Sequence, residues 1–405
     1  MKMKPMSGKR RAVVIAAALS PSISVWAPAA AASYDQGASD SEIRIGHTTA
    51  YSGPVSAFGV AGRTLQAFFR MVNDTGGIKG RKVTIISLDD GYSPPKALEQ
   101  TRRLVESDGV LAIFGVSGSP TNAATQKYLN NLGVPQILIA TGASRFNDPK
   151  AFPWTMPFWP SYELEQRTYV DYILKVKPDA KIAVLYANDD YGKDHLNGVK
   201  AALAAHPGSK AAIVAAEPYE TTDATVDSLI LKLRSSGADV LISGTTPKFA
   251  AQAIRKVHDL NWQPMQFVAN ASSSIANVMI PAGVDNSVGV MTAGFLKSIG
   301  DPATDGDEDV RAYYDFMKKW NQQDSPLDFY AAVSYVNANM LKKVLEACGD
   351  DLTRKNLMKQ VANIHDVHLP LHLPKVALKT TPDDFAAFRA LQLQKFDGKK
   401  WVSVD

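Results

Sequence analysis

From Ile43 onward, short β-branched runs alternate with longer amphipathic ones, and this alternation restricts the fold more than any other feature of the chain. "IRIGHTTA", "KVTIISLDD", "VLAIFG" and "PQILIAT" read as strands, with helical periodicity near residues 62–73, 94–107 and 121–132 between them. Runs that are apolar on both faces and alternate with helices call for a parallel sheet covered on both sides. The pattern restarts after residue 160. A helix over 161–176 leads into "KIAVLYAND", "AAIVAAEPY", "DVLISGT" and "MQFVAN", and a further strand, "VGVMTAGF", follows at 288–295. Helices are expected near 307–321, 328–347 and 352–363, and a terminal hairpin around Asp397-Gly398. The fold class is therefore α/β, with two Rossmann-like lobes. At 405 residues the chain has room for two cores, since one core seldom grows beyond roughly 250 to 300 residues. "FPWTMPFWP", residues 152–160, holds three prolines, which argue against regular helix or central strand, and reads as a crossing between lobes.

Residues 1–32 read as a cleaved signal peptide: Lys2, Lys4, Lys9, Arg10 and Arg11 precede an apolar stretch that ends in small residues. Ser20, Pro21, Ser22, Ser24 and Pro28 interrupt that stretch, against the reading of a spanning helix. Removing it takes five of the 44 basic residues and leaves 39 against 40 acidic ones. With no basic run elsewhere, the electrostatic footprint of a nucleic-acid binder is missing. Cys348, the single cysteine, excludes an intrachain disulfide and a cysteine-based zinc site. No cysteine follows the small-residue stretch, so no lipid anchor is expected there. Export without an anchor implies a protein that diffuses freely in a bacterial periplasm.

Each strand runs into a short polar segment: "HTTAYSG", "DDGYS", "GVSGSPT", "ATGAS". In open α/β sheets ligands bind beyond the carboxyl ends of the strands. The stretch "FGVSGSPTN", 114–122, resembles a nucleophile elbow, but Ser119 stands where the second glycine of G-x-S-x-G belongs. An esterase using Ser117 would also need a histidine base, for which His47 and His195 are the nearest candidates. As a binding element the stretch is better suited. Ser119 before Pro120 fits an N-cap followed by proline, and free N–H groups at a helix start attract a carboxylate. "ATGASR", 140–145, offers a second such turn. Asp89-Asp90 and Asp189-Asp190 read as solvated turn carboxylates rather than metal ligands. Walker loop, G-x-G-x-x-G and His-Glu-x-x-His are all absent from the sequence, so no cofactor or metal is expected.

"YSGPVSAFG" (51–59), "NDTGGIKGRKV" (73–83), "DDGYSPPKA" (89–97), "GVPQILIATGAS" (133–144), "KIAVLYANDDYGKD" (181–194) and "LKLRSSGADVLI" (231–242), in this order, resemble the periplasmic solute-binding proteins of the leucine-isoleucine-valine type that serve ABC transporters. The resemblance covers about residues 41–405. It implies two lobes joined by a three-segment hinge, lobe one from 41–158 plus 291–365 and lobe two from 159–290 plus 366–405. It also implies a monomer that closes on a small-molecule ligand in the cleft and then docks on permease subunits.

Carried over position by position, the resemblance places Ser119, Ala143 and Ser144 on the ligand carboxylate and Phe58 and Tyr191 over its body. It places Thr245 and Asn270 at the far end. Amino-acid binders of this type have an acid where this chain has Asn270 and a tyrosine where it has Thr245. An ammonium in a closed cleft needs an anionic partner. The chain therefore fits an aromatic or other non-amino organic acid, with Asp89 or Asp90 as the acids to substitute if the ligand is a branched-chain or other hydrophobic amino acid. Trp154, Phe158 and Trp159 are candidates for a ring wall, or for hinge packing.

Overall fold

The computed structural model describes residues 1–5, 8, 32–365, 367–374 and 376–404, and Ser33–Asp405 form one compact unit. The expected signal peptide lies almost wholly outside the described residues, and among those no helix is long and apolar enough to cross a membrane. The strands are β1 Ser33–Tyr34, β2 Glu42–Thr49, β3 Lys82–Asp89, β4 Ala112–Phe114, β5 Gln136–Ile139, β6 Thr155–Pro157 and β7 Lys181–Ala187. They continue with β8 Ala212–Tyr219, β9 Val240–Gly244, β10 Met265–Val268, β11 Met291–Gly294, β12 Asp351–Leu352, β13 Gln392–Phe396 and β14 Trp401–Ser403.

Two sheets dominate. The first has the order β3-β2-β4-β5-β6 and is parallel throughout. The second runs β14-β13-β11-β10-β9-β7-β8, parallel except for the antiparallel pair β13 and β14 at one edge. In each sheet the first strand lies between the second and third, so the winding direction reverses between β2 and β4, and again between β7 and β9. Helices Gly59–Asp74, Pro94–Arg102 and Ser119–Leu132 connect the first set of strands, and Tyr162–Val176, Asp190–Ala204, Asp227–Ser235 and Pro247–Asp259 serve the second.

The chain passes between the sheets three times. It leaves the first sheet after β6, returns after β11 to build helices Glu308–Trp320 and Phe329–Cys348 against Gly59–Asp74, and comes back to pair β13 with β11. Phe68, fully buried, anchors the helix packing: its ring centroid lies 6.0 Å from that of Phe316 and 5.6 Å from that of Tyr335. Burying such a ring contributes about 1.5–3 kcal/mol. At the first passage two backbones run so close that a Cβ on Gly142 would overlap the Pro160 carbonyl oxygen. Only glycine fits there.

The proline-rich segment holds neither a helix nor a central strand; its short β6 forms the sheet edge, where a missing N–H leaves no broken ladder. One boundary is corrected. The lobe boundary drawn at residue 291 falls on β11, which pairs with β10 in the second sheet, so any division between sheets comes after Gly294.

Candidate functional site

Open α/β sheets bind ligands where the winding direction reverses, beyond the carboxyl ends of the strands. At the first sheet's reversal, β2 is followed by the loop carrying Phe58, and β4 by the turn of Ser117 and Gly118. At the second, β7 is followed by Tyr191 and β9 by Thr245 and Thr246. These segments face one another across a narrow chamber that is partly open to solvent. Six rings wall it: Phe58, Tyr92, Trp159, Tyr162, Tyr191 and Tyr330. The Phe58 and Tyr330 centroids are 4.8 Å apart, and Tyr162 meets Tyr191 edge-on at 5.2 Å. Ser117, Gly118 and Thr246 supply the polar wall, and among the described residues no acidic side chain lines the chamber.

Local chemistry fixes these rings. Tyr92 has φ +60, a left-handed conformation uncommon for a bulky residue, and Asp90 holds it by accepting the Tyr92 N–H at 2.8 Å. Asp89 accepts the Tyr51 N–H at 2.9 Å, the Ser52 hydroxyl at 2.7 Å and the Lys96 ammonium at 2.7 Å. Burial would raise its pKa, but these donors hold it well below the usual carboxylate range. The aspartate pair thus braces two loops, and among the described residues no cluster of His, Cys, Asp or Glu is arranged to hold a metal ion. Tyr162 rests on the fully buried His195, ring centroids 4.2 Å apart, and His195 Nδ1 pairs with the Gln166 amide at 2.7 Å. Burial pushes that imidazole down to about 3, so a neutral ring supports the chamber floor.

A sequence profile of the periplasmic binding protein family matches residues 42–400. The chain belongs to that family. Its members are solute-binding proteins that serve ABC transporters, not an enzyme class. Leu/Ile/Val-binding protein homolog 7 of Brucella abortus (strain 2308) is 24% identical over 315 residues, 75% of this chain and 77% of that protein. Among solved structures, a branched-chain amino acid ABC transporter protein from Thermus thermophilus with bound valine matches with TM-score 0.78 at 14% identity, covering 90% of this chain and 95% of that one. A fatty acid ABC transporter substrate-binding protein from Thermomonospora curvata matches with TM-score 0.74 at 21% identity, covering 92% and 94%. At such identities the structural matches establish the fold.

Of the residues expected in this binding protein's cleft, Phe58 and Tyr191 line the one chamber. The others lie elsewhere. Ser119 is not the cap: Gly118, at φ +100, takes the capping position, and the Ser119 hydroxyl is fully buried against Thr141 at 2.7 Å. Thr141 in turn reaches the Tyr162 hydroxyl at 3.2 Å, so Ser119 supports the wall from behind while Ser117 and Gly118 face the cavity. Thr245 is buried one residue behind Thr246, and its carbonyl accepts the Tyr191 hydroxyl at 3.1 Å. Trp154 packs over Gly133 at the far end of helix Ser119–Leu132, and of the three rings named as candidates for a wall only Trp159 lines the chamber. Phe158 packs on Phe388, centroids 5.3 Å apart.

Asn270 borders a second pocket, of about 40 Å3, beyond the hydrogen bond of 2.6 Å from the Tyr330 hydroxyl to the Ala271 carbonyl. Its N–H goes to Glu165 at 2.8 Å and its Nδ2 to the Ala293 carbonyl at 3.0 Å, while Oδ1 has no partner among the described residues. Glu165 is fully buried, and burial pushes its carboxyl up to about 7 against the donors Asn270 N–H and Tyr169 hydroxyl. Ala143 and Ser144 do not reach the chamber either. The Ser144 N–H and hydroxyl both go to Asp194, so this chain's own carboxylate stands where a ligand's was expected. The esterase constellation is not assembled: His47 Nδ1 pairs with the Phe114 carbonyl at 2.8 Å and His195 with Gln166, not with Ser117.

Proposed function

We propose that this chain is the periplasmic receptor of an ABC uptake transporter and captures a small carboxylate with an aromatic or otherwise non-amino apolar body. One observation carries the reading: among the described residues six aromatic rings and no acidic side chain line the chamber. The Ser117–Gly118 turn at the start of helix Ser119–Leu132 offers the anion seat, because first-turn N–H groups have no partner within the helix. The rings take the body by stacking. An ammonium closed into this chamber would have no lining carboxylate to pair with. The valine-bound and fatty-acid neighbours share a carboxylate and differ in the ammonium, which agrees with an anion seat as the common element. The two sheets would close about the three passages, and the closed form would deliver the ligand to permease subunits as a monomer after export by the signal peptide.

The second reading, branched-chain amino acids, is favoured by the Leu/Ile/Val naming of the relatives. A thermal-shift screen separates the two, since a ligand that binds only the native state raises the melting temperature, by about 2.7 kcal/mol of stability at a hundredfold excess over Kd. Benzoate, phenylacetate and 4-hydroxybenzoate are expected to raise it and leucine, isoleucine and valine to leave it unmoved. Stabilisation by leucine with none from the aromatic acids overturns the proposal. Stoichiometric labelling of Ser117 by a serine-directed phosphonate would return the esterase reading.

A further inference from the structure

Two contacts join the turn after β5 to helix Asp190–Ala204. The Ser144 N–H donates to Asp194 Oδ2 at 3.0 Å and the Ser144 hydroxyl to Oδ1 at 2.8 Å, one donor for each carboxylate oxygen. One helical turn earlier, Asp190 takes the Arg145 guanidinium at 2.8 Å. The turn belongs to the first sheet and the helix to the second, so both contacts cross the cleft between them. Helix Asp190–Ala204 does not need Asp194 for its own start, because Asp189 caps it by accepting the Gly192 N–H at 3.1 Å. The arrangement at Ser144 is that of a captured carboxylate, with a hydroxyl and a backbone amide each on its own oxygen.

We propose that Asp194 is a clasp that holds the two sheets together across the cleft at Ser144, with the Arg145–Asp190 pair beside it. Because Ser144 lies outside the chamber, closure gains this cross-cleft contact without a ligand. The contact lies at the exposed rim, where water competes for both partners, so the ligand-free protein exchanges between a clasped closed form and an open one. This holds whichever ligand class the chamber takes.

The test uses the full chain without ligand. Small-angle X-ray scattering of the Asp194→Ala protein is expected to show a larger radius of gyration than the unaltered protein, as the cleft opens. Ser144→Ala, which removes the hydroxyl of the same contact, is expected to expand the protein as well, and the double variant to expand it no further than Asp194→Ala alone. Circular dichroism verifies folding, and Asp194→Asn carries the same expansion readout if the alanine variant does not fold. An unchanged radius, or a double variant whose expansion is the sum of the two, overturns the proposal. Neither result bears on whether aromatic acids bind, which the thermal-shift screen reads separately.

Discussion

Glu165 lies in the interior with no cationic partner among the described residues, its Oε1 accepting the Asn270 N–H and the Tyr169 hydroxyl, each at 2.8 Å. With a folded pKa near 7 against an ordinary 4.5, the folded protein holds this proton over a pH range in which the unfolded chain has released it. Stability from this group is complete below pH 4.5 and falls as pH rises towards about 7. Glu165→Gln, which keeps the Oε1 acceptor, removes the dependence. Denaturant titrations at pH 4 and pH 8 are expected to show the variant gaining on the parent by on the order of 3 kcal/mol at the higher pH. A constant difference across that range would contradict the assignment. Single residues also mark the limit of what the sequence disclosed. Phe58 and Tyr191 came from the family resemblance alone, and the structure puts each after a strand at a reversal of winding, on the chamber wall. Tyr330 was not legible, because it enters the chamber from a helix almost 140 positions beyond Tyr191 and only tertiary packing brings it there.

At the scale of elements, the turn after β4 governs the chamber. Gly118 has φ +100, and a Cβ there would run into the Tyr92 ring. Gly118→Ala therefore strains the backbone and displaces a wall of the cavity, and is expected to cost at least about 2 kcal/mol in chemical denaturation and to abolish ligand binding in calorimetry. Retained affinity with unchanged stability would refute the placement of this turn. The same turn shows why the cap was misread. Ser-Pro is a good cap pair, but glycine reaches the conformation the bend requires and frees Ser119 to point inward to Thr141. Helix existence was more legible than helix ends: periodicity near 62–73 became Gly59–Asp74, and that near 328–347 became Phe329–Cys348. The edge strand β6 escaped because proline removes a donor that an outermost strand does not need.

At the scale of the molecule, the repeated grammar of strand and helix made two sheets legible, whereas the partition of the chain between them was not. β11 follows directly on the strands of its own sheet, but its edge is completed only by β13, about a hundred residues later. Phe396 and Trp401, both buried, pack from these last strands against helix Pro247–Asp259 and its neighbours. Ending the chain at residue 388 exposes the β11 edge and loses about 1.5–3 kcal/mol for each of these rings, on top of the ladder hydrogen bonds. Such a truncation is expected to lose cooperative thermal unfolding and to accumulate as aggregate. A soluble product with one sharp transition would show that the terminal hairpin is dispensable.

The position of that hairpin also separates the two sheets in the order of synthesis. Every strand of the first sheet precedes residue 158, whereas the second gains its last strands only at residues 392–403. A growing chain therefore carries β11 with an open edge through about a hundred further residues, the interval in which a stray strand could pair with it.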